Sequence, residues 1–154
     1  MITKNTVWEW LSKHPLATLA TVSATGAPQL ATVYTYVDQN HHCYLITKEE
    51  TRKYQNVQRT TTVALSWFDS VDMVSCEIAG MASVVQSGEE VLAAISQLQE
   101  LIAKQKPGYW IPPVGQGNGG NYAVLQIIPE IVRYADYSST AELDPQPQLL
   151  EFKP

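Results

Sequence analysis

The chain has 154 residues, of which 45% are hydrophobic and 16% charged, a balance typical of one globular domain with its own core. The net charge of -5 argues against nucleic acid and anionic membranes as partners. The two cysteines form no CxxC pair, so neither a disulfide framework nor a thiolate metal site is indicated. No segment approaches membrane-spanning length, and we therefore expect a soluble, cytoplasmic protein.

The first third of the chain predicts one helix and then strands. Val7, Trp8 and Leu11 recur at helical spacing until His14-Pro15 ends the pattern. Segments rich in β-branched and aromatic residues are predicted strands, with turns between them: 16–23, 29–37 and 43–47.

The next part predicts two further strands and a helix. The strands cover 61–68 and 73–85, and Gly80 inside the second indicates a bulge or a close backbone approach. The sequence SGEE is a capping box that begins a helix ended by Pro107. Its predicted core-facing stripe is Val91, Leu92, Ile95, Leu98 and Ile102.

The remaining segments complete a single domain. A Gly/Pro-rich loop covers 107–120, one or two strands cover 121–137, and residues 138–154 are predicted to be a loose tail behind a domain of residues 1–137. Strands in meander order with few helices between them favour a mainly β (α+β) antiparallel barrel over a doubly wound sheet. The glycine-rich stretch GQGNGG enters a strand, so it lacks the strand–loop–helix context of a dinucleotide or P-loop site.

The segment ITKEETRKYQNVQRT has an unusual charge pattern. Arg52 and Lys53 fall in the predicted first turn of a helix, where unpaired N–H groups already carry partial positive charge. An anion such as phosphate between them would remove the repulsion. Alternatively, Thr47 or Thr51 is only an N-cap, the preceding glutamates compensate the dipole, and the two cations point to solvent.

From about Trp8 to Tyr137 the sequence resembles the pyridoxamine 5'-phosphate oxidase-like family of split β-barrel flavoproteins, most specifically in YLITKEETRKYQNVQRTTTVALSW. In that family, a strand ending in Thr and a following Ser/Thr-Arg-Lys hold the phosphate of FMN. Thr47 and Thr51-Arg52-Lys53 match this pattern. The resemblance implies a six- to seven-stranded antiparallel split β-barrel, FMN as the cofactor, and a homodimer with the cofactor at its interface.

The resemblance also implies contacts to the isoalloxazine ring. On the same chain these would be Thr32, Val33, Tyr34 and Ile46. From the partner subunit, residues around Trp67 and Ser75 and the loop at Trp110 would complete the site.

The implied function is that of an FMN-dependent oxidoreductase acting on an unidentified small molecule or electron donor, with no catalytic acid or base assigned. The alternatives are a non-catalytic flavin- or haem-binding stress-related module and a deazaflavin-dependent reductase of the same fold. The second strand carries no cation and no Arg-x-His pair follows Arg133, so vitamin B6 oxidation is not expected. No metal site is predicted, and His41-His42 is interpreted as a solvated turn.

Overall fold

The computed structural model describes residues 2–105, 121–138 and 146–152, and most of these residues belong to one antiparallel sheet. The helices are α1 Lys4–Leu11, α2 Arg52–Arg59 and α3 Gly88–Ala103. The strands are β1 Leu16–Val22, β2 Pro28–Tyr34, β3 Tyr36–Val37, β4 Cys43–Lys48, β5 Thr62–Asp69, β6 Val74–Val84, β7 Tyr122–Asp136 and β8 Gln148–Glu151.

The strand order confirms the mainly β split-barrel prediction. The sheet runs β2-β1-β5-β6-β7-β4-β3, with β8 added beside β7, and the strand pairs are antiparallel. The described residues form eight strands instead of the predicted six or seven, because the short β3 and β8 also pair. The curled sheet encloses the core and leaves β2 and β3 at its two ends.

Alternation along the strands decides which residues enter the core. In β5, for example, Val63, Leu65 and Trp67 are buried while the residues between them are exposed or half-buried. Burial of each large apolar side chain stabilises the fold by about 1.5–3 kcal/mol. Helix α1 closes the barrel by burying Val7 and Leu11 against the same core.

Gly80 marks an irregularity in the longest strand pairing, as its sequence predicts. The register between β6 and β7 shifts between Ala79 and Gly80. A Cβ atom at Gly80 would overlap the carbonyl oxygen of Ile128. The strand can therefore pass this point only with glycine.

Helix α3 begins as predicted, and of its predicted core-facing stripe only Leu92 is exposed. The hydroxyl of Ser87 accepts a hydrogen bond from the Glu90 amide at 3.4 Å, which confirms the cap. The buried residues are Ala94, Leu98 and Ile102, whereas Leu92, predicted to face the core, is 70% exposed. Leu92 precedes Leu98 by six residues, which places it about 120° around the helix from the buried face.

The C-terminal segment differs from the predicted loose tail. Strand β7 is a single long strand, and β8 pairs with its second half from Ile131 to Tyr134. The Phe152 amide donates to the carbonyl of Glu130 at 2.9 Å. The predicted loop at 107–120 lies outside the described residues. Within the described ranges, no helix is long and apolar enough to cross a membrane.

Candidate cofactor site

The turn between β4 and α2 is organised by two threonines. Thr51 donates from its hydroxyl to the Lys48 carbonyl at 2.7 Å, and its amide bonds the same carbonyl at 3.1 Å. The hydroxyls of Thr47 and Thr51 lie 2.8 Å apart, and since the proton of Thr51 is already used, Thr47 is the donor between them. Both hydroxyl protons therefore serve the turn itself, and the threonines hold the start of α2 against the end of β4.

The N-terminus of α2 lacks a side-chain cap. Thr51 occupies the N-cap position with extended backbone, yet its hydroxyl makes no capping hydrogen bond. The first turn contains no acidic residue and begins with Arg52 and Lys53. The capping hydrogen bond of the alternative interpretation is therefore absent at Thr51, and two cations lie beside amides that the Thr51 hydroxyl does not satisfy.

A cavity of about 380 Å³ lies in front of this helix terminus. It is lined by Glu50, Thr51, Arg52 and Lys53 on one side and, on the other, by Thr21 of β1 and residues 29–31 of β2. Arg52 is exposed, and partial burial lowers the pKa of Lys53 below its ordinary value. Burial thus disfavours the charged form of Lys53, and an anion in the cavity would offset that cost.

Asn56 fixes α2 to the strands that form the other cavity wall. Its buried side-chain amide donates to Thr21 Oγ1 and to Gln29 Oε1, both at 2.9 Å. The neighbouring Val57 packs into the core. Asn56 was not predicted to be a site residue, although it lies four residues after Arg52 and therefore on the same helical face.

On β2 the cavity is lined by residues that precede the predicted contacts of the isoalloxazine ring. Gln29, Leu30 and Ala31 line it, whereas the predicted residues lie further along the same strand. Thr32 is exposed, Tyr34 is half-buried, and the side chain of Val33 points into the core.

The other residues that were predicted to contact the isoalloxazine ring lie in different parts of the structure. Ile46 lies on the opposite face of β4 from Thr47, on the side that α3 contacts. Ser75 pairs across the sheet with Phe68. Trp67 is 2% exposed and packs in the core of its own barrel. Trp110 lies outside the described residues.

Part of the outer face of the sheet carries small and apolar side chains. One cross-strand row joins Leu30, Ala20, Ala64 and Ala79 across four strands. Nearby on the outer surface, Phe68 is 63% exposed and Met81 is 48% exposed. We call this surface the alanine face, and Leu30 belongs both to it and to the cofactor cavity.

His41 is not the solvated turn residue predicted from the sequence. It is buried with a positive φ of 65°, and its ring packs against Phe152 with centroids 4.9 Å apart. Its Nε2 lies 2.6 Å from the carbonyl oxygen of Lys4. Because a carbonyl only accepts, this nitrogen carries a proton and is not available to a haem iron.

Comparison with solved structures finds the same fold at low sequence identity. A conserved hypothetical protein of Mycobacterium tuberculosis is 19% identical with a TM-score of 0.75, covering 94% of this chain and 91% of that one. A pyridoxamine 5'-phosphate oxidase-related, FMN-binding protein of Nostoc punctiforme is 13% identical with a TM-score of 0.62, covering 97% and 96%. A haem-binding protein of Mycobacterium smegmatis is 13% identical with a TM-score of 0.71, covering 98% and 59%.

No curated protein matches the sequence significantly. The family model described as pyridoxamine 5'-phosphate oxidase does match, over residues 3–136. That range contains the whole barrel up to the end of β7, including the uncapped terminus of α2 and its cavity. The chain therefore belongs to the pyridoxamine 5'-phosphate oxidase family.

Proposed function

We propose that the chain binds FMN with its phosphate at the N-terminus of α2 and acts as a flavin-dependent oxidoreductase on a small molecule. The observation that carries the proposal is the uncapped start of α2, where Arg52 and Lys53 face a cavity without an acidic residue in the first turn. A phosphate dianion supplies negative charge beyond the single carboxylate of Glu50, which precedes the helix and also lines the cavity.

Each part of the site has a distinct task. Arg52 and Lys53 form charge-assisted hydrogen bonds to phosphate oxygens, and the first amides of α2 donate to the same group. Asn56 keeps that helix end at a fixed distance from β1 and β2. When bound, the flavin supplies the hydride or electron transfer, while the protein orients it.

We propose a homodimer in which a second copy covers the alanine face. Exposed apolar residues on this face favour a protein partner, alanines allow two sheets to approach closely, and the Ser66–Glu77 pair that separates Phe68 from the alanine row would add polar contacts. Leu30 joins this face to the cavity, so a partner there would also wall the cofactor site. In this arrangement Ser75, beside Phe68, lies on the contact surface.

The first test is the visible absorption spectrum of the purified protein after FMN is added and the unbound fraction is removed by gel filtration. We expect a flavin spectrum that co-elutes with a dimer. A colourless dimer would contradict the cofactor assignment, and a flavin-bound monomer would contradict the proposed interface.

Two alternatives use the same site or fold and need their own controls. A deazaflavin cofactor also carries phosphate, and direct competition with FMN distinguishes the two. A non-catalytic role would be indicated by retained flavin that neither NADH nor NADPH reduces. Haem bound in place of flavin would favour the haem-binding role, against which the buried Nε2 of His41 argues.

A further inference from the structure

His14, Asp69 and Asp72 converge at the end of the barrel where α1 meets the β5–β6 turn. The Nε2 atom of His14 lies 3.5 Å from Asp69 Oδ2 and 3.2 Å from Asp72 Oδ2. One nitrogen and two carboxylate oxygens are thus within 4.8 Å of one another. The cofactor cavity lies toward the other end of β1, at Thr21, so this cluster is a separate feature.

The hydrogen bond of Nδ1 determines whether the Nε2 atom of His14 faces the carboxylates with a proton or with a lone pair. Its Nδ1 lies 2.6 Å from the carbonyl oxygen of Trp10, which can only accept, so Nδ1 carries the proton. In the neutral ring, Nε2 then carries a lone pair that is directed at two negatively charged oxygens. Such a contact is repulsive until a cation lies between the three atoms.

The two distances from His14 Nε2 to the carboxylate oxygens match the spacing of ligands in a metal site. With metal–ligand bonds of about 2.1 Å, donors at a tetrahedral zinc ion are about 3.4 Å apart. A histidine that donates its other N–H to a backbone carbonyl is also the usual arrangement at such a centre. The two distances from His14 fall on either side of the tetrahedral value.

The supporting contacts hold the donors in this geometry. The indole of Trp10 stacks on the His14 ring with centroids 4.0 Å apart and donates from Nε1 to Asp72 Oδ2 at 3.0 Å. The other oxygen of Asp69 accepts from the amides of Val71 and Asp72 at 2.7 and 2.8 Å. Both carboxylates are therefore oriented by partners other than His14.

We propose that His14, Asp69 and Asp72 bind a divalent transition-metal ion such as Zn²⁺ and leave one coordination position to solvent. The imidazole ligand favours a transition metal over Mg²⁺ or Ca²⁺, which prefer oxygen ligands throughout. The ion joins the end of α1 to the β5–β6 turn. This site departs from the sequence-based expectation of no metal.

The test is calorimetric titration of untagged, EDTA-treated protein with Zn²⁺. We expect one bound equivalent per chain and an affinity at least tenfold lower in His14→Gln and Asp72→Asn, the latter keeping an oxygen for Trp10. His42→Gln is the matched control, because His42 faces the single carboxylate of Asp38 at 3.7 Å, and its affinity should equal that of the wild type.

A second readout uses the wild-type protein alone. Co²⁺ at this site should quench part of the tryptophan fluorescence, because the Trp10 indole stacks on a ligand ring. Absence of both Zn²⁺ binding and Co²⁺ quenching would overturn the proposal and indicate a proton as the cation between His14 and the carboxylates. Equal Zn²⁺ binding by wild type and Asp72→Asn would overturn it as well.

Discussion

The N-termini of α2 and α3 both carry partial positive charge from unpaired N–H groups, but only α3 compensates this charge with its own residues. At α3 the Ser87 hydroxyl accepts from the Glu90 amide, and Glu89 and Glu90 place negative charge in the first turn. At α2 no hydroxyl caps the helix, and the first turn begins with two cations. A helix that completes its own N-terminus has a structural role, and one that leaves it open to a cavity has room for a ligand.

The two helices also differ in how they are attached to the barrel. Helix α3 contacts the sheet through an apolar face of Ala94, Leu98 and Ile102. Helix α2 combines the buried Val57 with the polar Asn56, whose amide reaches β1 and β2. Directional hydrogen bonds fix a helix end more narrowly than apolar packing does, which suits a terminus that must meet a phosphate.

The largest expected effect comes from removing both cations of α2. Arg52→Ala together with Lys53→Ala should weaken FMN binding by about 1.5–3 kcal/mol for each charged hydrogen bond lost. Arg59→Ala, in the last turn of the same helix, is the matched control and should leave the affinity unchanged. Calorimetric titration measures the FMN affinity of the double variant and of the control. Equal affinities would contradict the proposed difference between the N-termini of α2 and α3.

The attachments of α2 and α3 to the barrel can be compared by truncating one side chain on each of these helices. Leu98→Ala should lower the free energy of unfolding by about 2–5 kcal/mol and leave FMN binding unchanged, because it only removes packing. Asn56→Ala should cost about 1–3 kcal/mol and also weaken FMN binding, since it frees α2 from Thr21 and Gln29. Urea unfolding and FMN titration of both variants test this, and normal FMN binding by Asn56→Ala would refute the positioning role.

Charge reversal should have opposite effects on the two helices. Without cofactor, Arg52→Glu should raise the free energy of unfolding by about 0.3–1 kcal/mol, because a carboxylate suits a helix N-terminus. Glu89→Arg in α3 should lower it by a similar amount. Changes of the same sign in urea unfolding at low salt would show that the charge pattern does not distinguish the termini.

The smallest expected effect is a pH dependence that belongs to Lys53. Burial lowers its pKa in the folded protein, so between that value and about 10.5 the unfolded state binds more protons. In the cofactor-free protein, the contribution of Lys53 should therefore raise the free energy of unfolding as the pH increases through this window. Lys53→Gln should lack this contribution and Arg52→Gln should retain it, and identical pH profiles for these two variants would contradict the assignment.

Local patterns were sufficient for most of the fold and for locating the segment of the candidate site. Segments rich in β-branched and aromatic residues predicted the strands, the capping box predicted the start of α3, and Gly80 predicted the irregularity in β6. The misplaced charges of Arg52 and Lys53 pointed to the terminus of α2, because their cost depends only on their own helix.

Features that depend on distant parts of the chain were not predicted. Which residues of β2 face the cavity depends on how α2 docks, and that is fixed by the bonds of Asn56 to Thr21 and Gln29. Strand β8 exists only through its pairing with β7. Similarly, His14 meets Asp69 only after β1 and β5 have paired. Such contacts carry no short-range sequence signal.

The most direct test of the central claim is a calorimetric comparison of FMN with riboflavin, which lacks the phosphate. We predict that the wild type binds FMN much more tightly than riboflavin, and that the Arg52→Ala, Lys53→Ala double variant loses this preference while still binding riboflavin as the wild type does. Equal affinity of the wild type for both compounds would contradict a phosphate site at the N-terminus of α2.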